Sequence, residues 1–204
     1  MRYVMMLSLC LAACGGSSDE AAQGGDGTSS GSGAEAPSEG RAAAPAGQPS
    51  SDPRVLLEVG ALAPAFRAPD QTGATRTLAE HRGRVVVLYF YPRDATPGCT
   101  IEACAFRDTW SEYTRRGVAL LGVSVDDVES HREFAEEHEL PFPLLSDTDL
   151  RITDAYGARD QVGEVIYSRR VTFVIDAEGV IRHVFANVDP GVHAREVLAA
   201  LDAL

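Results

Sequence analysis

The stretch "VVVLYFY", residues 85–91, constrains this chain more than any other. An unbroken apolar run, with no polar residue at alternate places, describes a strand covered on both faces. Pro92 ends it. Such a strand needs neighbours in a sheet and helices above and below, and the following sequence supplies both in alternation. A helix is predicted from about Cys99 to Arg116, with Ala103, Phe106, Trp110 and Tyr113 at three- and four-residue spacing and Gly117 as its stop. "VALLGVSV", 118–125, reads as a second buried strand, and Glu129 to Glu139 as a helix with Phe134 and Ala135 inward. Pro141 and Pro143 bound a short "LLS" strand, after which Asp147 or Asp149 can cap a short helix running to Tyr156. "VTFVID", 171–176, and "VIRHVFA", 180–186, flank the turn "AEG" as a hairpin, and an amphipathic helix from about Val192 to Leu204 closes the chain. Nothing repeats internally.

This order predicts an α/β fold with a mixed central sheet flanked by helices on both faces, and it matches a thioredoxin-like fold. The helix after the first central strand would begin where strand ends and helix N-termini gather polar chemistry.

All of these elements lie in residues 53–204, the expected domain. The segment before it is different in kind. Arg2 precedes the short apolar stretch "YVMMLSLCL", about half the length needed to span a bilayer, and "LAAC" follows at Leu11 to Cys14. "LAAC" with Gly15 resembles a bacterial lipobox. The resemblance implies that residues 1–13, Cys10 included, are a signal peptide, and that Cys14 becomes the lipidated first residue. The expected location is thus outside the cytoplasm, anchored to the bacterial membrane and facing the periplasm or cell surface; Gly15 after the cysteine favours the outer membrane of a Gram-negative cell. Residues 14–52 then form a tether, rich in Gly, Ser, Ala, Pro and acids, that cannot bury enough surface to offset the entropy of ordering it. As a flexible chain it spans roughly 35 Å.

The formal charge is −12, which leaves no basic footprint for nucleic acid. All 18 basic residues are arginine, so Schiff-base chemistry and a phosphate-binding lysine are excluded.

With Cys10 and Cys14 assigned, Cys99 and Cys104 are the free thiols of the domain. Cys99 is expected at a helix start, where unpaired N–H groups and the helix dipole favour an anion and hence the nucleophilic thiolate. Thr96, three residues earlier, puts a hydroxyl where it can bond the sulfur or a peroxide oxygen, and Pro92 and Pro97 stiffen the loop. In "SRRVTFVID", Arg170 immediately precedes a central strand, and an arginine held over the thiolate would stabilise it and polarise a peroxide bond. Arg169 reads as its solvated neighbour. The competing reading of two cysteines in an oxidising compartment is a structural disulfide.

"YPRDATPGCTIEAC" together with "RVTFVID" resembles the peroxiredoxins of the bacterioferritin-comigratory, or peroxiredoxin Q, subfamily. The likeness covers most of residues 56–204, including "VGALAPAF", "APDQTG", "LLGVSVDD" and "FPLLSDTD". It implies a thiol-dependent peroxidase acting on hydrogen peroxide and organic hydroperoxides. Cys99 would be the peroxidatic cysteine, Thr96, Pro92 and Arg170 its activating partners, Glu102 an organiser of hydrogen bonds, and Cys104 the resolving cysteine. It further implies recycling by a thioredoxin-like dithiol, no metal or organic cofactor, and a monomer.

The spacing of the two cysteines then has a mechanical meaning. Residues five apart on a helix rise about 7.5 Å and turn about 500°, which leaves their Cα atoms roughly 8.5–9 Å apart. A disulfide needs less than about 7 Å, so the helix must lose its first turn before Cys104 meets an oxidised Cys99. A bridge that breaks its own helix is reducible, which argues against a structural disulfide. Two alternatives carry less. A membrane-anchored thiol–disulfide oxidoreductase would need a Cys-x-x-Cys motif, and a non-enzymatic redox-sensing lipoprotein would leave the Pro, Thr, Cys and Arg pattern without a task. Of the remaining candidates, His131 and His138 read as a solvated helix surface, His81, His183 and His193 as isolated, "SDTDL" with Asp154 as a helix cap rather than a calcium loop, and Asp126 and Asp127 as a turn or cap.

Overall fold

The computed structural model describes residues 52–204. The expected signal peptide 1–13, the expected lipidation at Cys14 and all but the last residue of the expected tether lie outside them. The first elements are a small antiparallel hairpin, β1 (Arg67–Pro69) and β2 (Thr75–Thr77), followed by a 3-10 turn over Leu78–His81. The alternating core follows: β3 (Val86–Phe90), α1 (Pro97–Asp108), α2 (Trp110–Arg115), β4 (Ala119–Ser124), α3 (Val128–Glu137), β5 (Leu144–Ser146) and α4 (Arg151–Ala155). A second hairpin, β6 (Arg159–Val162) and β7 (Val165–Ser168), precedes β8 (Val171–Ile175), β9 (Ile181–Phe185) and α5 (His193–Leu201).

The central sheet has the order β5-β4-β3-β8-β9. β3 runs parallel to β4 and β4 to β5, whereas β8 is antiparallel to both β3 and β9, so the sheet is mixed. Every residue of β3, β4 and β8 is buried, because each strand carries apolar side chains on both faces. On one face Val87, Tyr89, Tyr91, Leu120 and Val174 pack with Ala103, Phe106, Tyr113, Phe134 and Val197 from α1, α2, α3 and α5. On the other, Val86, Leu88, Phe90, Leu121 and Phe173 pack with Leu57, Phe66, Leu78, Ile152 and Tyr156. The thioredoxin-like α/β architecture is thus present, with helices on both faces.

Three features depart from the pattern read in the sequence. The single helix expected over 99–116 is two helices divided at Thr109, whose hydroxyl donates back to the carbonyls of Ala105 and Phe106 and competes with the backbone ladder. It also begins earlier, at Pro97, which fits the first helical position because proline's missing N–H has no partner there. The two hairpins are additional. In β6–β7 a two-residue loop, Gly163–Glu164, joins the paired Val162 and Val165, and Gly163 adopts the positive φ such tight turns require.

The segment before β1 is fastened by its backbone. Leu57 N–H donates to the Tyr156 carbonyl, Arg159 N–H to that of Pro53, and the Arg169 guanidinium to those of Arg54 and Gly157. Arg169 is therefore a structural tie, not the solvated neighbour its sequence position suggests. Gly157, with φ of 68°, is pressed so closely on this segment that a Cβ would lie 1.8 Å from the Val55 carbonyl oxygen. Gly157→Ala must either displace residues 53–57 or distort the turn after α4, and it should cost about 3 kcal/mol or more. A fall in Tm of about 6 °C or more, read by circular dichroism, is the expected result.

Candidate active site

The site forms where β3 ends and α1 begins. Pro92, half-buried, stops the strand, and the chain turns through residues 93–96 into the helix. Thr96 is the N-cap residue in extended conformation, Pro97 is the first helical residue, and Cys99 follows in the first turn. Among the described residues both cysteines are free thiols. Cys99 is 1 % exposed and belongs to the buried cluster that holds Tyr89, Tyr91 and Ala103, whereas Cys104, five residues along the same uninterrupted helix, is half-buried. Regular helical geometry keeps the two Cα atoms beyond disulfide range.

Arg170 reaches this helix from the start of β8. The antiparallel register Phe90↔Val171 brings Arg170 alongside Tyr91, and strand alternation then decides its direction. Val171 faces the Leu57 side of the sheet, so Arg170 faces α1 with Thr172 and Val174, while Arg169 turns to the opposite side. Arg170 Nη2 donates to Cys99 Sγ at 3.1 Å, and Nη1 pairs with Glu102 Oε2. Gly98 leaves the room for this approach: a Cβ there would sit 3.3 Å from Nη2. The Thr96 hydroxyl donates to the Arg93 carbonyl at 3.1 Å, not to the sulfur.

Glu102 is fully buried beneath the guanidinium. Burial disfavours its charged form more than the charge and hydrogen bond of Arg170 favour it, and its carboxyl is raised to about 7. Its other oxygen, Oε1, has no hydrogen-bond partner and lies 3.9 Å from His193 Nε2. His193 is itself buried, bonded through Nε2 to Thr172 Oγ1 at 2.8 Å and set edge-on to Phe106 and Phe185. Burial, helped by the charge of Arg170, lowers its pKa to about 4, so the imidazole is neutral near pH 7.

Two histidines therefore differ from their reading in the sequence. His193, expected to be isolated, sits behind Glu102 on the inward face of α5 with Val197. His131, expected on a solvated helix surface, is buried and bonded through Nδ1 to Asp94 Oδ2 at 2.7 Å. Helix period could have revealed both, because each shares a face with apolar residues: His131 with Phe134 and Ala135, His193 with Ala194 and Val197. Two of the acids behave as caps, whereas Asp126 accepts from the Asp94 N–H and the Ser124 hydroxyl and Asp154 pairs with Arg159. Asp127 accepts from Ser130 N–H at the start of α3, and Asp147 accepts from Ile152 and Thr153 N–H at the start of α4.

The family model of the AhpC/TSA family matches residues 59–184. A protein described as the putative peroxiredoxin bcp of Coxiella burnetii is 44% identical over 149 residues, which are 71% of this chain and 99% of that one. The chloroplastic peroxiredoxin Q of Triticum aestivum is 40% identical over 146 residues, 71% of this chain and 67% of that one. Among solved structures, peroxidoxin BcpB of Mycobacterium tuberculosis superposes with a TM-score of 0.68 at 35% identity, covering 72% of this chain and 98% of that one. The bacterioferritin comigratory protein of Xanthomonas campestris, whose structure is described for its alkyl peroxide reduction activity, superposes with a TM-score of 0.65 at 35% identity, covering 68% and 90%. A buried cysteine in the first turn of a helix, met by an arginine from the next strand of the sheet, thus stands in a chain that belongs to the AhpC/TSA family, in the bacterioferritin-comigratory or peroxiredoxin Q branch of its thiol-dependent peroxidases.

Proposed function

We propose that this peroxidase works through a sulfenic acid on Cys99 that Cys104 resolves within the same chain. The observation that carries the reading is the Arg170 N–H directed at Cys99 Sγ inside a helix N-terminus, two sources of positive potential on one buried sulfur. The thiolate attacks the terminal oxygen of a hydroperoxide, ROOH. An S–O bond forms as the O–O bond breaks; sulfur is oxidised, and the peroxide proton stays on the new sulfenic acid. The departing RO⁻ leaves as ROH after taking a proton, and Arg170 stabilises the charge that develops on it. Because the Thr96 hydroxyl donates its hydrogen bond to the Arg93 carbonyl, its oxygen is free to accept one from the O–H of the incoming peroxide.

Resolution follows by unwinding the first turns of α1. The Cys104 thiol displaces water from the sulfenic acid, and the disulfide is reduced by a thioredoxin-like dithiol. The sum is ROOH plus dithiol to ROH, water and disulfide. Glu102 holds Arg170 in place while the helix is folded. Both hydrogen peroxide and organic hydroperoxides are the expected substrates, the second in keeping with the alkyl peroxide reduction described for the Xanthomonas campestris relative. The enzyme acts as a monomer without metal or organic cofactor. It is anchored through lipidated Cys14 outside the cytoplasm, so its donor is a thioredoxin-like protein of the periplasm or cell surface. Cys14→Ser should move it from the membrane to the soluble fraction on cell fractionation.

Intact-mass measurement after one equivalent of peroxide tests the cycle. The wild type should lose about two daltons, mapped to a peptide joining Cys99 and Cys104, whereas Cys104→Ser should gain about sixteen as sulfenic acid. Cys99→Ser should lose turnover altogether; retained peroxide consumption in that variant overturns the assignment.

The buried Glu102 adds a dependence on pH. It holds its proton more tightly when folded, at about 7, than at its ordinary 4.5. Its contribution to stability is therefore fully present below about 4.5 and is lost as pH rises through about 7. His193, depressed to about 4, changes stability in the opposite sense over the same range, so the comparison with Glu102→Gln isolates the carboxyl. Between pH 4.5 and 7.5 the wild type should lose on the order of 3 kcal/mol relative to Glu102→Gln in urea unfolding.

A further inference from the structure

The loop that carries Cys99 is tied down at Asp94 by polar groups that the peroxidase cycle does not use. The Asp94 carboxylate is buried and accepts three side-chain hydrogen bonds: Tyr91 Oη at 2.7 Å, Ser130 Oγ at 2.8 Å and His131 Nδ1 at 2.7 Å. Its backbone N–H donates to Asp126 Oδ2 at 2.9 Å, and that oxygen also receives the Ser124 hydroxyl at 2.7 Å. One residue of the loop is thereby fixed to the end of β3, the end of β4 and the first turn of α3. The His131 side chain is 0% exposed and the Asp94 side chain 3%. The buried Nε2 of His131 has no hydrogen-bond partner, so the ring is held through Nδ1.

The next residue shows what the tie supports. Ala95 has a φ of 53°, the left-handed conformation a residue with a Cβ adopts only when its surroundings impose it. That turn delivers Thr96 to the N-cap and Cys99 to the first helical turn. An aspartate, a histidine and a tyrosine hydroxyl buried together give little net stability over an apolar filling, whereas a fully satisfied network specifies one geometry.

We propose that His131, assisted by Ser130, is a positioning residue for the Cys99 reaction. Through Asp94 it fixes the approach of residues 92–96, and it holds that side of the cysteine still while α1 unwinds on the other. Neither His131 nor Ser130 is bonded to the sulfur, whose hydrogen bond comes from Arg170, so their effect reaches the chemistry through the geometry of the loop. The inference rests on the peroxidase reading, which activity in the wild type and its loss in Cys99→Ser decide separately.

The test compares His131→Asn, whose amide can replace the Nδ1 donor, with His131→Phe, which fills the space without one. Fluorescence of the single Trp110 in stopped flow reads two steps in the same protein: reaction of Cys99 with hydrogen peroxide, then disulfide formation. His131→Phe should slow the peroxide step by about tenfold or more, as expected for a sub-ångström misplacement, and His131→Asn should restore it to within about threefold of wild type. Disulfide formation should stay within about twofold in both, because the unwinding part of α1 is not held by the cluster. A wild-type peroxide rate in folded His131→Phe, whatever its Tm, makes the cluster a matter of stability alone and overturns the proposal. Equal losses in the Asn and Phe variants also overturn it. If His131→Phe does not fold, Ser130→Ala removes a second donor with little change in volume, and a wild-type peroxide rate there has the same force.

Discussion

The guanidinium of Arg170, shared between the sulfur of Cys99 and the carboxyl of Glu102, is the interaction around which the site is organised. Its position is a property of the sheet. The register of β3 against β8 places Arg170 beside the end of β3, and the two-residue period of the strand sends it to the α1 face while Arg169 goes to the other. A slip of one residue would exchange these two arginines. The solid apolar faces of β3 and β8 prevent the slip, so the packing of Leu88, Phe90 and Phe173 protects the electrostatics of a cysteine on the opposite side of the sheet.

The helix that bears Cys99 is stable at one end and costly at the other. From Phe106 onward it is held by rings, Phe106 lying against Tyr89, Tyr113, Phe142 and His193, and the following α2 is held by the Tyr113 hydroxyl bonded to the Ala194 carbonyl. Before Phe106 it buries a carboxyl whose desolvation outweighs its ion pair. In the proposed cycle that uneven distribution places the weak segment where the backbone must open, with the first two turns free to leave the core and the remainder holding its place. The proposed function of Cys104 uses the boundary between them.

The sequence revealed the sheet and the catalytic neighbourhood through different kinds of signal. Continuous apolar runs gave β3, β4 and β8, because a strand buried on both faces leaves few alternatives. Cys99, Glu102 and Arg170 could be singled out because a family motif holds them at set places, but the motif carried no information about the other partners of each. Thr96 is bonded to the Arg93 carbonyl, and nothing in its spacing from Cys99 distinguishes that partner from the sulfur. One property hides the burial of both His131 and His193 from the sequence. A histidine on an amphipathic helix reads as polar, and its burial depends on a distant acid or hydroxyl, Asp94 or Thr172, that only the fold supplies. The break at Thr109 was hidden because apolar period continues across it, while a side-chain hydrogen bond decides the backbone.

The aromatic anchor at Phe106 has a consequence for how far the opened chain can wander. With Phe106 pinned on one side and Asp94 on the other, a released segment is confined to the eleven residues between two fixed ends. In the proposed cycle Cys104, two residues short of the tougher clamp, would search a restricted volume, and that leash would set its effective concentration near the sulfenic acid. Lengthening the slack by loosening Phe106 would make escape easier and recapture rarer, so in the proposed cycle the same ring that shortens the search would also set the odds that oxidised sulfur meets its partner before a second peroxide.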